Sequence, residues 1–228
     1  MIPALTIWLY KKFICPALLR RNITPPVLPD LTILKRAALP LFFMVLLCLI
    51  VSAQENSTTY RIIHKGDQIG SMQFVKKVTG DDLHLRMTSQ IRTSLLFSIR
   101  VSTTDQAHFS KGRLLSSNVC RIVNGKEKDR KKTWLCSDDY KIVSGEKTKS
   151  FKSPIAYNMM LLYCKEPVNI NQVYSDNFQQ FVAIQKTGAH SYRIKLPDGN
   201  FNDYYFANGI CQRVVVHHTL YTIQMELA

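Results

Sequence analysis

Six cysteines and six histidines are the residues of this chain best equipped for chemistry, and their spacing limits what they can do. Cys120, Cys136, Cys164 and Cys211 follow residue 53, with no Cys-x-x-Cys pair and no histidine at ligand spacing from any of them, so a thiolate metal centre is not indicated. His217 and His218 are adjacent; on a strand such neighbours point to opposite faces and cannot chelate one ion. Asp138-Asp139 lies at an expected turn and reads as a solvated carboxylate pair. Cys164, beside Lys165 and Glu166, would sit at a helix C-terminus, whose partial negative charge disfavours a thiolate. No Gly-x-Ser-x-Gly elbow, dinucleotide fingerprint, phosphate loop or His-Glu-x-x-His motif occurs. The sequence therefore nominates no catalytic residue, no cofactor and no metal ligand.

The cysteines also raise the question of disulfides, since an even number in an oxidising compartment is commonly paired. Cys120 and Cys136 lie symmetrically about Lys128 within the polar run Lys126–Lys132, and a hairpin centred there would face them across two strands. A competing register turns at Asn124-Gly125, pairs residues whose numbers sum to 249, and separates the two thiols.

Apolar chemistry gathers at two places. Tyr204, Tyr205 and Phe206 are consecutive, so they must occupy both faces of a strand; either a ring lies at a cavity mouth or the rings pin the hairpin register by cross-strand packing. Met159 and Met160 lie in a segment that opens with Ser153-Pro154 and carries Ile155, Met159, Leu162 and Tyr163 at helical spacing. That pattern predicts one short helix, Pro154 to Cys164, with Ser153 as its cap. It would plug the core, or its methionines would form an adaptable gate over a lipid cavity.

The elements that hold these residues begin after a leader. Lys35 and Arg36 precede an apolar run from Ala37 to Ala53 that ends Val51-Ser52-Ala53, the order of a secretory signal cleaved before Gln54. The rival is a retained membrane anchor, because a run of about 17 residues is near the lower limit for a spanning helix. A lipoprotein signal does not fit, as Leu47 precedes Cys48. The stretch upstream of Lys35 is longer than an ordinary signal needs. Residues 1–53 are set aside, and residues 54–228 form a single expected domain with enough chain for a core. This portion carries 24 Lys+Arg against 15 Asp+Glu, a net charge of +9. A basic exported protein suits an anionic envelope surface, whereas nucleic acid is not indicated.

Period-two alternation dominates residues 54–228. From Leu83 to Phe109 the odd positions are largely apolar and the even ones polar, a stretch too long for one strand, so two strands with a corner or bulge near Arg92–Leu95 are expected. The pattern recurs in Tyr192-Ile194-Leu196 and in Tyr221-Ile223-Met225-Leu227. Turn chemistry separates such runs at Lys65-Gly66, Gly80-Asp81, Lys111-Gly112, Asn124-Gly125, Ser144-Gly145, Thr187-Gly188, Asp198-Gly199 and Asn208-Gly209. The expected fold is all-β: an antiparallel meander of nine or ten strands forming a barrel or strongly curled sheet, with one helix at 154–164.

The segment Leu196-Pro197-Asp198-Gly199-Asn200 through Asn208-Gly209-Ile210-Cys211, the Val-rich strand after it, Gln68-Ile69-Gly70-Ser71 and Phe109-Ser110-Lys111-Gly112-Arg113-Leu114 resemble a domain-of-unknown-function family of exported bacterial proteins across residues 58–227. The resemblance implies a secreted or periplasmic β-rich domain and brings no activity or site residues. The resulting expectation is a monomeric, exported, non-enzymatic binding or envelope-structural module taking an apolar ligand or lipid. The alternatives are an enzyme with a site inside the barrel and a membrane-anchored interaction protein.

Overall fold

Four Xaa-Gly pairs set the register of the sheet. Lys65-Gly66, Lys111-Gly112, Asn124-Gly125 and Asn208-Gly209 each have two successive positive φ angles, the requirement of the two-residue turns whose twist matches flanking antiparallel strands. The computed structural model describes residue 12 and residues 54–94 and 98–228. Its strands are β1 (Gln54–His64), β2 (Asp67–Thr79), β3 (Asp82–Ser94), β4 (Ser98–Ser110), β5 (Arg113–Val123), β6 (Lys126–Cys136), β7 (Asp139–Ser144) and β8 (Lys147–Phe151). They continue as β9 (Gln172–Ser175), β10 (Gln180–Gly188), β11 (Ser191–Lys195), β12 (Phe201–Ala207), β13 (Ile210–His218) and β14 (Tyr221–Leu227). The expected leader lies outside the described residues, Lys12 apart. Among the described residues no helix is long and apolar enough to cross a membrane.

All fourteen strands join one antiparallel sheet in the order β8-β7-β6-β5-β4-β3-β2-β1-β14-β13-β12-β11-β10-β9. This corrects two expectations. The sheet is open, neither a barrel nor strongly curled, because β8 pairs only with β7 and β9 only with β10. It also holds fourteen strands rather than nine or ten. The additional ones are polar: β6 reads KEKDRKKTWLC and is exposed along much of its length, and β8 reads KTKSF. Charged residues alternating with charged residues leave no hydrophobic period to detect, and backbone pairing alone makes such segments strands. Of the corner or bulge expected near Arg92–Leu95, residues 92–94 lie within β3 and Leu95 lies outside the described residues.

One face of the sheet is apolar and continuous, including Tyr60 and Ile62 of β1, Met72 and Phe74 of β2, Leu85 of β3, Phe109 of β4, Tyr140 of β7, Ile194 of β11 and Val214 of β13. The connection from β8 to β9 covers it. Tyr163 packs edge-on against Tyr60 at 5.4 Å and against Tyr204 at 6.5 Å, joining strands from both halves of the sheet. Side chains also link the two halves near their outer strands: Thr133 Oγ1 and Tyr174 OH lie 2.9 Å apart, and Gln179 Nε2 donates to the carbonyls of Lys132 and Val143.

The covering connection is not the predicted α-helix. Residues 154–157 are without helix, and a 3-10 turn occupies only Met159–Tyr163. Its cap is Asn158 rather than Ser153, with Asn158 Oδ1 accepting from Leu161 N–H at 3.2 Å. Tertiary backbone bonds explain the change: Leu114 N–H donates to Ile155 O, and Tyr174 N–H donates to Tyr157 O. Those carbonyls are claimed by neighbouring strands, so they are lost to a helix, and local propensity yields. Gly70 has a different task, since a Cβ there would lie 2.1 Å from Gln90 O. Only hydrogen fits between β2 and β3 at that point.

Candidate functional site

The face of β2–β6 opposite the core carries a trough of about 1110 Å³. Alternation builds it: Met72 and Phe74 face the core, so Gln73, Val75 and Lys77 face out, and the same parity places His84, Arg86, Gln106, His108, Asn118, Lys132 and Trp134 outward. Strand register then aligns these residues in ranks. One rank runs Glu55, Lys77, His84, His108, Ser116 and Trp134; the next runs Ser57, Val75, Arg86, Gln106, Asn118 and Lys132. Three fixed cations, Lys77, Arg86 and Lys132, thus converge on the trough against the carboxylate of Glu55.

At the middle of the first rank His84 and His108, with Asp82 beside them, form a cluster that the sequence does not nominate. Asp82 and His84 are two apart on β3 and share a face, while His108 pairs directly with His84 from β4. Ligand atoms of all three lie within 4.8 Å of one another. The imidazoles stack at 4.1 Å and 15°, and His108 Nε2 is 3.8 Å from Asp82 Oδ1. A hydrogen bond with Ser110 holds the Asp82 carboxyl below the usual range, and the two histidines act in the same direction. The available signal is Asp-x-His plus the β3–β4 register, which sets residue 84 opposite residue 108.

A second polar group lies in the core. Asp176 is buried and accepts from Asn158 Nδ2 at 2.9 Å, yet burial pushes its pKa up to about 6. Asp105, opposite Met87 and Val119, is pushed up to about 7 by burial and by the charge of Asp176, with Arg121 opposing. On β12, Asp203 takes both Arg193 Nε and Nη2 at 2.7 and 2.8 Å and faces His217 Nε2 at 3.2 Å. Its carboxyl is held below the usual range by Arg193. His190 contacts Glu166, His64 contacts the Thr222 carbonyl and His218 stacks on Tyr221, so these histidines serve separate neighbourhoods.

The residues singled out from sequence are dispersed. Met160, Tyr204 and Phe206 are buried in the core, Met159 packs at its margin, and Tyr205 lies on the other side of β12 beneath the Arg213 guanidinium at 4.3 Å. Tyr192 packs edge-on against Phe206 at 5.6 Å, a cross-strand contact. The Cys120–Cys136 disulfide does not form: all four described cysteines are free. The turn is Asn124-Gly125, so Val123 pairs with Lys126, and a bulge at Arg121/Ile122 sets Cys120 opposite Arg130. Cys136 pairs with Asp139 on β7 instead.

The family model of the domain of unknown function DUF6134 matches residues 60–228. No curated protein matches. Among solved structures, the β-barrel-like protein of domain of unknown function DUF1849 from Brucella abortus is similar over 77% of this chain and 96% of that one, with a TM-score of 0.52 and 9% identity. At that identity the likeness concerns the fold alone.

Proposed function

We propose that this chain, which belongs to the DUF6134 family, is an exported, non-enzymatic binding module that holds the anionic headgroup of an envelope lipid in the β2–β6 trough. The observation that carries the reading is the convergence of Lys77, Arg86 and Lys132 on one concavity with Glu55 as the opposing carboxylate. A phosphate there would accept charge-assisted hydrogen bonds, and the indole of Trp134 offers an amphipathic surface beside them. The headgroup, rather than an acyl chain, is the recognised part, because Met160, Tyr204 and Phe206 are already used in the core. Export is supported by Lys35-Arg36, the apolar run after it and the small residues ending at Ala53.

Vesicle co-sedimentation tests the reading. The protein should bind vesicles containing phosphatidylglycerol and leave pure phosphatidylcholine vesicles unbound. Each basic group near an anionic lipid surface is worth about 1 kcal/mol, so R86A/K132A should bind roughly thirtyfold more weakly. Equal binding to both vesicle types, or an unaffected double variant, overturns it. Mass analysis of the envelope-purified protein should find Gln54 at the N-terminus; an uncleaved chain would favour the anchored alternative.

A further inference from the structure

We propose that Asp82, His84 and His108, the two histidines also lining the trough, form a binding site for a divalent first-row transition ion such as zinc. Two imidazoles and one carboxylate are a donor set that suits such ions and is poorly suited to calcium or magnesium, which take oxygen ligands. The strand pair supplies the donors by construction. Spacing of two places Asp82 and His84 on one face, and direct pairing brings His108 alongside from β4.

The distances are close to what coordination requires. Metal bonds of about 2.1 Å in tetrahedral geometry put donors about 3.4 Å apart. The three ligand atoms already lie within 4.8 Å, so a closing movement of about 1 Å suffices. His84 is exposed and can supply that movement by rotating its ring out of the 4.1 Å stack, a soft torsion for imidazole. His108 Nε2 is shielded from solvent and makes no hydrogen bond among the described residues. An ion bound there would satisfy this nitrogen. Three protein ligands leave a fourth position for water or for an anion, as in sites that exchange a ligand. The charge nearest to the site on its own rank is Lys77, paired with His84 from β2, with Glu55 beyond it.

Calorimetric titration of the full chain with zinc chloride, after removal of metals by EDTA and gel filtration, tests the proposal. The tightest site should hold one ion per chain. H84A and H108A should each weaken it at least tenfold, D82N should weaken it as well, and H190A should leave it unchanged. Copper(II) electron paramagnetic resonance provides an independent readout: coupling to two imidazole nitrogens in the native chain and to one in H84A. His84 is exposed, so H84A retains the fold and carries the test if H108A does not. No binding at micromolar zinc, an affinity unchanged in H84A, or a copper signal unaltered by that substitution overturns the proposal. The titration uses metal alone, so its outcome is separate from that of the vesicle experiment.

Discussion

Asp105 sits in the apolar series of β4, between Met87 and Val119, and it makes stability depend on pH in a direction opposite to that of a salt-bridged carboxylate. Its pKa is pushed up to about 7 by burial and by Asp176, whereas an unfolded aspartate titrates near 3.9. Below about pH 4 both states hold the proton and the folded state has its full advantage. As pH rises towards 7 the unfolded chain releases its proton first, and stability falls until the folded carboxyl also ionises. A shift of about 3 units at 1.36 kcal/mol each amounts to a loss on the order of 4 kcal/mol across that window. Asp105→Asn keeps the shape and removes the ionisation. Urea unfolding of both proteins at several pH values from 4.5 to 8 should show the variant nearly equal to the native chain at the acid end and more stable by a few kcal/mol at pH 8. Comparing the two proteins cancels most of the contribution of Asp176, which is native in both. Parallel profiles with a constant offset, or a variant less stable at pH 8, would refute the assignment of a penalised buried charge.

Gly70→Ala should destabilise by about 3 kcal/mol or more, read from the urea midpoint, because the new methyl would meet Gln90 O in the β2–β3 ladder. Asp203→Asn should cost about 2 kcal/mol by removing the charge from a bidentate contact with Arg193 and from His217. Because the folded pKa of Asp203 is depressed, its contribution is present above about pH 4 and disappears as pH falls through the folded value, so the variant's deficit should shrink in acid. Native-state thiol labelling followed by peptide mapping should modify the exposed Cys136 quickly and spare Cys211, whose thiol is buried and pushed up to about 12, until the chain unfolds.

Side-chain alternation discloses the strands that have one wet and one dry face. Leu83–Phe109 divides between two strands, β3 and β4, and the place of Asp105 in the apolar series agrees with its burial. The glycine turns are legible because positive φ favours particular residues, and Asn124-Gly125 decides the β5–β6 register. Lys126–Cys136 is not legible as a strand, since its charged residues supply no apolar phase. The 154–164 segment has good helix signals, but Ile155 and Tyr157 give their carbonyls to Leu114 and Tyr174, partners remote in sequence. The Asp82, His84 and His108 cluster is hidden for a related reason: its third member arrives through pairing, which no single strand encodes.

Among the described strands, the pairing of β1 with β14 is the only ladder that joins the β1–β8 portion to the β9–β14 portion. Arg61 and Glu226 meet across that join although 165 residues separate them. β14 lies far beyond β1 in sequence, so a sheet that begins to form at its N-terminal strands keeps one edge of β1 unpaired until β14 arrives. The sheet is complete only once β14 has docked, and until then the N-terminal portion offers a bare backbone rim that another unfolded chain could capture.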